Sequence, residues 1–169
     1  MSRPDYLLFD KNTVSLIYGM QTKAVQRMLD FDYCCRRTTP SVAALVDPGK
    51  TGSQKVFWGK KEIFIPIYPN VKTAMQKHPE IDVMINFASF RSAFDTTMEG
   101  LDEAGLRTVV VIAEGMPERQ ARHLRTAIAG RQFRLVQRHP IAALGQIDLV
   151  ALGGVVIDPP VPIEVAGLQ

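Results

Sequence analysis

Apolar and polar positions along this chain switch repeatedly between a strand-like and a helix-like period. Val14 to Tyr18 is an apolar run of strand character that stops at Gly19. Ala24, Val25, Met28, Leu29 and Phe31 then recur at three- and four-residue spacings, which predicts a helix with one buried stripe. Ser41 to Val46 reads as a second buried strand, stopped by Asp47-Pro48-Gly49-Lys50, and Thr51 to Gln54 read as a continuation of that loop. In Val56 to Tyr68, two runs rich in aromatic and β-branched residues flank Gly59-Lys60, the pattern of a short hairpin or of a pair of extended segments. Pro66 and Pro69 argue against a long central strand there, because proline brings no N–H to a ladder.

Asn70 is placed to cap a helix over Val71 to Lys77, which must stop before Pro79. Ile81 to Phe87 is a third strong strand, followed by a helix through Thr97, Met98 and Leu101 that closes near Gly105. Leu106 to Ala113 is apolar almost throughout, as a parallel strand covered on both faces should be. Pro117 suits the first turn of a helix over Glu118 to Ala129, and Phe133 to Val136 gives a fifth strand. The alternation predicts an α/β fold, a doubly wound parallel sheet with helices on both faces. Ligands of such sheets bind beyond the carboxyl ends of the strands. Three loops meet that description: Gly19 to Lys23, Asn86 to Arg91, and Ala113 to Pro117.

Composition narrows the function. The 169 residues are 46% hydrophobic and 22% charged, which suits one globular domain with a core of its own. The net charge of +3 is spread along the chain without a basic run, so nucleic acid is not the expected partner. No stretch has the apolar length of a membrane span, and Met1-Ser2-Arg3-Pro4 leads into Asp5 without the apolar region of a signal peptide. Cys34 and Cys35 are adjacent, where a mutual disulfide is strained and a metal site is not expected. A reducing, cytoplasmic setting is expected. Leu7, Leu8 and Phe9 read as an edge segment that packs on the domain.

The turn at Gly19 carries the candidate chemistry. A glycine lets the backbone bend close to a ligand, and the helix that follows offers unpaired N–H groups to a phosphate. Gln21, Thr22 and Lys23 add side-chain donors there. A dinucleotide fingerprint needs three spaced glycines, and only Gly19 is present. The pattern alone therefore fits both a phosphate site and a plain helix start. Lys50 fits both a phosphate contact and a solvated loop lysine, and Trp58 reads as a packing residue.

The three loops, in this order, resemble the CoA-binding domain of the ATP-citrate lyases, in the superfamily of the succinyl-CoA synthetase α-subunit. The residues that carry the resemblance are Tyr18 to Gln26 with Met28 to Tyr33, Phe57 to Pro66, Lys77 to Val83, Asn86 to Ala93, and Ile112 to Glu118. It runs from about Leu7 to about Gly130 and implies a Rossmann-like CoA-binding domain over residues 1–130. The family's chemistry uses ATP to phosphorylate a histidine. The phosphoryl group passes to citrate, CoA displaces it, and a separate module cleaves citryl-CoA to acetyl-CoA and oxaloacetate.

By this resemblance, Gly19, Met20, Gln21 and Thr22 face the CoA phosphates, and Lys50 adds a phosphate contact. Phe87, Ala88 and Ser89 contact the nucleotide or pantetheine, while Ile112, Ala113 and Glu114 line the same cleft. Glu114 would have to bond a hydroxyl or an amide, or orient a loop, because the phosphates repel it. It also suits a helix N-terminus, where the dipole favours an acid. His78, His123 and His139 do not match the family's phosphohistidine motif, so catalysis is expected to need other ATP-citrate lyase subunits or domains, which also bring ATP and Mg. The alternative is a standalone CoA- or nucleotide-binding module. From about Arg131 the resemblance stops. Residues 131–169 read as a diverged or frame-shifted tail: the genetic code permits Leu135 to His139 to be read, in a shifted frame, as the family's Gly-Pro-Ala-Thr, and the apolar, proline-rich Val155 to Pro162 suit either an extra strand or a loose end.

Overall fold

The computed structural model describes residues 9–113 and 115–129, together with the backbone of strands at 133–138 and 147–152. The elements are β1 (Ser15–Tyr18), α1 (Thr22–Cys34), β2 (Val42–Val46), β3 (Gly52–Trp58), β4 (Lys61–Tyr68), α2 (Val71–Lys77), β5 (Val83–Asn86), α3 (Ala93–Leu101), β6 (Thr108–Val111), α4 (Glu118–Ile128), β7 (Phe133–Arg138) and β8 (Ile147–Leu152). The described strands form one eight-stranded sheet in the order β3-β4-β2-β1-β5-β6-β7-β8. The six inner strands are parallel, and β3 and β8 close the two edges antiparallel. The chain winds from β1 to one edge, crosses back to β5, and builds the other half. This is the doubly wound α/β sheet the periodicity predicts, with an antiparallel strand added at each side.

Alternation along each strand divides the core in two. Leu16 and Tyr18 point to one face of the sheet and Ile17 to the other. On the first face Leu16, Ala44, Met84 and Val109 pack with Ala74 of α2, Leu101 of α3, and Leu124 and Ile128 of α4. On the second, Ile17 and Leu45 pack with Val25 and Leu29 of α1 and with Val56, Ile65 and Ile67 of the β3–β4 hairpin. One helix thus covers one face and three cover the other. Leu16, Ile17, Leu29, Leu45 and Ile128 are wholly buried, and burying such a side chain is worth about 1.5–3 kcal/mol.

The strands that carry the loops are also fixed at their amino ends. Buried Asp32 on α1 accepts the Ser41 N–H at 2.7 Å and so anchors the start of β2. Asp82 Oδ1 accepts the Val14 N–H at 3.0 Å just before β1, and its other oxygen pairs with Arg107 just before β6.

Two local expectations differ from the structure. Gly52, Ser53 and Gln54 are not loop but the first residues of β3, paired with Ile67, Pro66 and Ile65. An edge strand faces water, so polar residues cost it little. Pro66 lies inside the eight-residue β4, which has a neighbour on each side. It is tolerated because the ladder to β2 starts only at Ile67. The helix ends fall near the predicted ones: Asn70 Oδ1 caps α2 by accepting the Thr73 N–H at 2.7 Å, and α3 stops at Leu101, before Gly105. Of the predicted edge packing, Phe9 is exposed, while Leu7, Leu8 and the segment Val155 to Pro162 lie outside the described residues. No described helix is long and apolar enough to cross a membrane.

Candidate functional site

Parallel pairing puts the carboxyl ends of β2, β1, β5 and β6 side by side in that order. The loops that leave them are stitched together by main-chain bonds. Gly19 N–H donates to the Val46 carbonyl at 2.8 Å, Phe87 N–H to the Tyr18 carbonyl at 2.9 Å, and Ile112 N–H to the Asn86 carbonyl at 3.0 Å. The sequence-derived candidates on these loops therefore share one edge of the sheet, although they are far apart in the chain.

Gly19 is required by its backbone. Its φ is +97°, in the region L side chains avoid. A Cβ there would stand 3.4 Å from the Phe87 Cβ and 3.6 Å from the Phe87 carbonyl carbon, at van der Waals distance. Gln21 N–H returns to the Gly19 carbonyl at 3.1 Å, closing the turn, and α1 starts at Thr22. Gln21 makes no side-chain cap bond, and the first turn of α1 holds no acidic residue. That end of the helix presents N–H groups and the positive end of its dipole to the loop edge. Met20 is half-buried, while Gln21, Thr22 and Lys23 are exposed.

Across the turn, Phe87 and Ala88 are half-buried and Ser89 is exposed. The Ser89 carbonyl accepts the N–H groups of Ser92 and Ala93 and so begins α3. Ile112 is half-buried and Ala113 buried. Lys50 projects from the β2 loop, exposed, with its Nζ 3.9 Å from Asp47 Oδ2. Asp47 shapes that loop by accepting the Gly49 N–H at 3.0 Å. Glu114 lies outside the described residues. A cavity of about 440 Å³ between Phe9, Met28, Phe31, Val83 and Ile85 opens at the opposite, amino ends of the strands and belongs to none of these loops. Among the described residues, no group of three or more His, Cys, Asp and Glu side chains is placed to hold a metal ion.

Below the edge, Tyr18 has its phenol pushed above its ordinary value by burial, and further by the negative charges of Glu99 and Asp47. Asn86 was not among the sequence candidates. Its side chain is wholly buried between β5 and α3. The available signal was a single amide at the end of Val83-Met84-Ile85-Asn86, since a polar group buried in an apolar strand requires partners.

The fold and this edge belong to a recognised class: the CoA binding domain family matches residues 10–115, and the chain belongs to it. Within that class it is similar to the ATP-citrate lyases. It is 52% identical over 125 residues to the probable ATP-citrate synthase subunit 1 of Schizosaccharomyces pombe, covering 73% of this chain and 20% of that one. It is 57% identical over 119 residues to the ATP-citrate synthase of Homo sapiens, covering 69% and 11%. A solved structure of ATP citrate lyase from Methanothrix soehngenii, in complex with citrate and coenzyme A, superposes with a TM-score of 0.71 at 55% identity, covering 73% and 20%. The chain thus spans a fifth or less of the length of these relatives.

Proposed function

We propose that this chain binds CoA along the Gly19, Phe87 and Ile112 edge and is the CoA-binding portion of an ATP-citrate lyase. The observation that supports this best is the stitched edge itself, which falls inside the residues matched by the CoA binding domain family. The Gly19 turn, Met20, Gln21, Thr22 and the first N–H groups of α1 take the phosphates. Lys50 adds a cation from the β2 loop. Phe87, Ala88 and Ser89 contact the nucleotide or pantetheine, and Ile112, Ala113 and Glu114 line the far side.

The complete reaction converts ATP, citrate and CoA to acetyl-CoA, oxaloacetate, ADP and phosphate. On this reading the chain holds and orients CoA, and the phosphohistidine, the ATP and Mg site and the cleavage of citryl-CoA belong to further polypeptide, in a longer chain or in partner subunits. A cytoplasmic setting goes with that role. Residues 1–130 are the CoA-binding unit, and the sequence after about residue 131 is a diverged or frame-shifted end. The nucleotide sequence tests the last point: if no alternative frame restores the family's residues, the frame shift is ruled out.

Calorimetric titration of the purified chain with CoA, with NAD as the comparison ligand, tests the central reading. Saturable binding of CoA and not of NAD is expected, lost on Gly19→Val and on Thr22→Glu. The valine cannot adopt the turn, and the glutamate sets a negative charge against the phosphates. A folded sample that does not take up CoA overturns the proposal.

A further inference from the structure

Asn86 sits where β5 ends, with no exposed surface, and its amide bonds both to α3 and to the loop that leads into it. Nδ2 faces Thr96 Oγ1 at 2.7 Å, Thr97 Oγ1 at 3.1 Å and the Ala93 carbonyl at 3.3 Å, all on α3. Oδ1 accepts the Ala88 N–H at 2.9 Å, inside the Phe87–Ser89 loop.

The direction of this network is dictated. Thr97 Oγ1 donates its proton to the Ala93 carbonyl at 2.6 Å. Thr96 Oγ1 donates to the Ser92 carbonyl at 3.0 Å or the Ala93 carbonyl at 3.2 Å. Both hydroxyls have committed their protons to the helix, so towards Asn86 they present lone pairs only. Asn86 must then turn its NH₂ to α3, which leaves Oδ1 aimed at Ala88. An aspartate of the same shape would set a carboxylate oxygen against the Ala93 carbonyl and would draw the Thr96 and Thr97 protons away from their helix carbonyls.

We propose that Asn86 is a positioning residue for CoA. It acts through the Ala88 N–H, fixing the Phe87–Ala88–Ser89 loop at the height where Phe87 meets the Gly19 turn. The inference rests on the reading of this edge as a CoA site. Without the Oδ1 bond the loop is still tied at its two ends, by Phe87 N–H to Tyr18 and by the Ser89 carbonyl to Ser92 and Ala93, but the Ala88 N–H between them loses its acceptor. The amide touches no ligand itself; it determines where the ligand-facing loop stands.

The test compares CoA affinity with thermal stability for the unmodified chain, Asn86→Ala and Thr97→Val, each titrated well below its own melting temperature. Thr97→Val removes one of three acceptors of the Asn86 NH₂ and leaves Oδ1 on Ala88. It is expected to melt earlier and to bind CoA within about twofold of the unmodified chain. Asn86→Ala is expected to weaken CoA about tenfold or more, the consequence of one lost buried hydrogen bond and its orphaned partner, and to speed hydrogen exchange at the Ala88 amide. If the unmodified chain does not bind CoA, the CoA reading fails and this inference with it. If it binds and Asn86→Ala binds equally well, or if both variants weaken CoA to the same degree, the positioning role alone is overturned. Should Asn86→Ala not fold, amide exchange in the unmodified chain decides: an Ala88 amide that exchanges as fast as a solvent-exposed one overturns the proposal, and a protected one supports it.

Discussion

Gly19 and Phe87, 68 positions apart in the sequence, are in contact: a Cβ on the first would lie 3.4 Å from the Cβ of the second, at van der Waals distance. The contact exists because β1 and β5 are neighbours in the sheet and both chains turn away at the same level. Gly19→Ala has room beside Phe87 but meets the unfavourable φ of +97°. It is expected to lower stability by about 1–2 kcal/mol, read as a fall in the urea midpoint, and to weaken CoA binding in the same sample.

Lys50 is exposed and its ion pair with Asp47 is long, at 3.9 Å. Such a pair contributes about 0–1 kcal/mol. Lys50→Ala should therefore leave the melting temperature nearly unchanged while lowering CoA affinity, most strongly at low salt, where charge attraction is least screened. Calorimetric titrations at two ionic strengths check this. An affinity unchanged at both would remove Lys50 from the site.

Asp32 and Asp82 separate a buried carboxylate from one half in water. Asp32→Ala orphans the Ser41 N–H and takes the nearby acid from Arg37, whose Nε stands 3.6 Å from Asp32 Oδ1. The expected cost is about 1–3 kcal/mol. Arg107→Ala removes only the exposed half of its pair with Asp82, for an expected cost of about 1 kcal/mol or less. Asp82→Ala costs more than Arg107→Ala because the Val14 N–H loses its acceptor too. Chemical denaturation of the three variants gives the order.

Tyr18 supplies a pH dependence. Its phenol is held above the ordinary value of 10.0 in the folded chain, by burial first and then by Glu99 and Asp47. The neutral phenol is therefore favoured by folding. That contribution is complete below pH 10 and is lost as the pH rises past the unfolded value and through the folded one. Stability measured from about pH 9 to 12 should fall less steeply in Tyr18→Phe than in the unmodified chain.

The parallel centre of the sheet was legible because its strands are nearly continuous apolar runs, and their helices keep a clean three- and four-residue spacing. The hairpin was legible from Gly59-Lys60. The start of β3 was not, since Gly52-Ser53-Gln54 has the composition of a loop, and only its pairing with β4 makes it a strand. Pro66 misled for a related reason: where the ladder to β2 begins is a property of two strands, not of one. The Gly19 turn could be found locally, whereas its meeting with Phe87 required the topology. Asn86 was hidden because its partners, Ala88, Thr96 and Thr97, only acquire meaning once α3 lies against β5.

The three main-chain bonds at the edge, from Gly19, Phe87 and Ile112 to the last residues of neighbouring strands, extend the sheet's own ladder into the loops. Bonds of that kind are expected to hold the rim in place with the sheet. A rim held in this way predicts that the rate of ligand capture is set by diffusion and orientation and not by a preceding rearrangement. An observed stopped-flow rate that rises linearly with ligand concentration is the outcome expected, and one that levels off points to a rearrangement before capture.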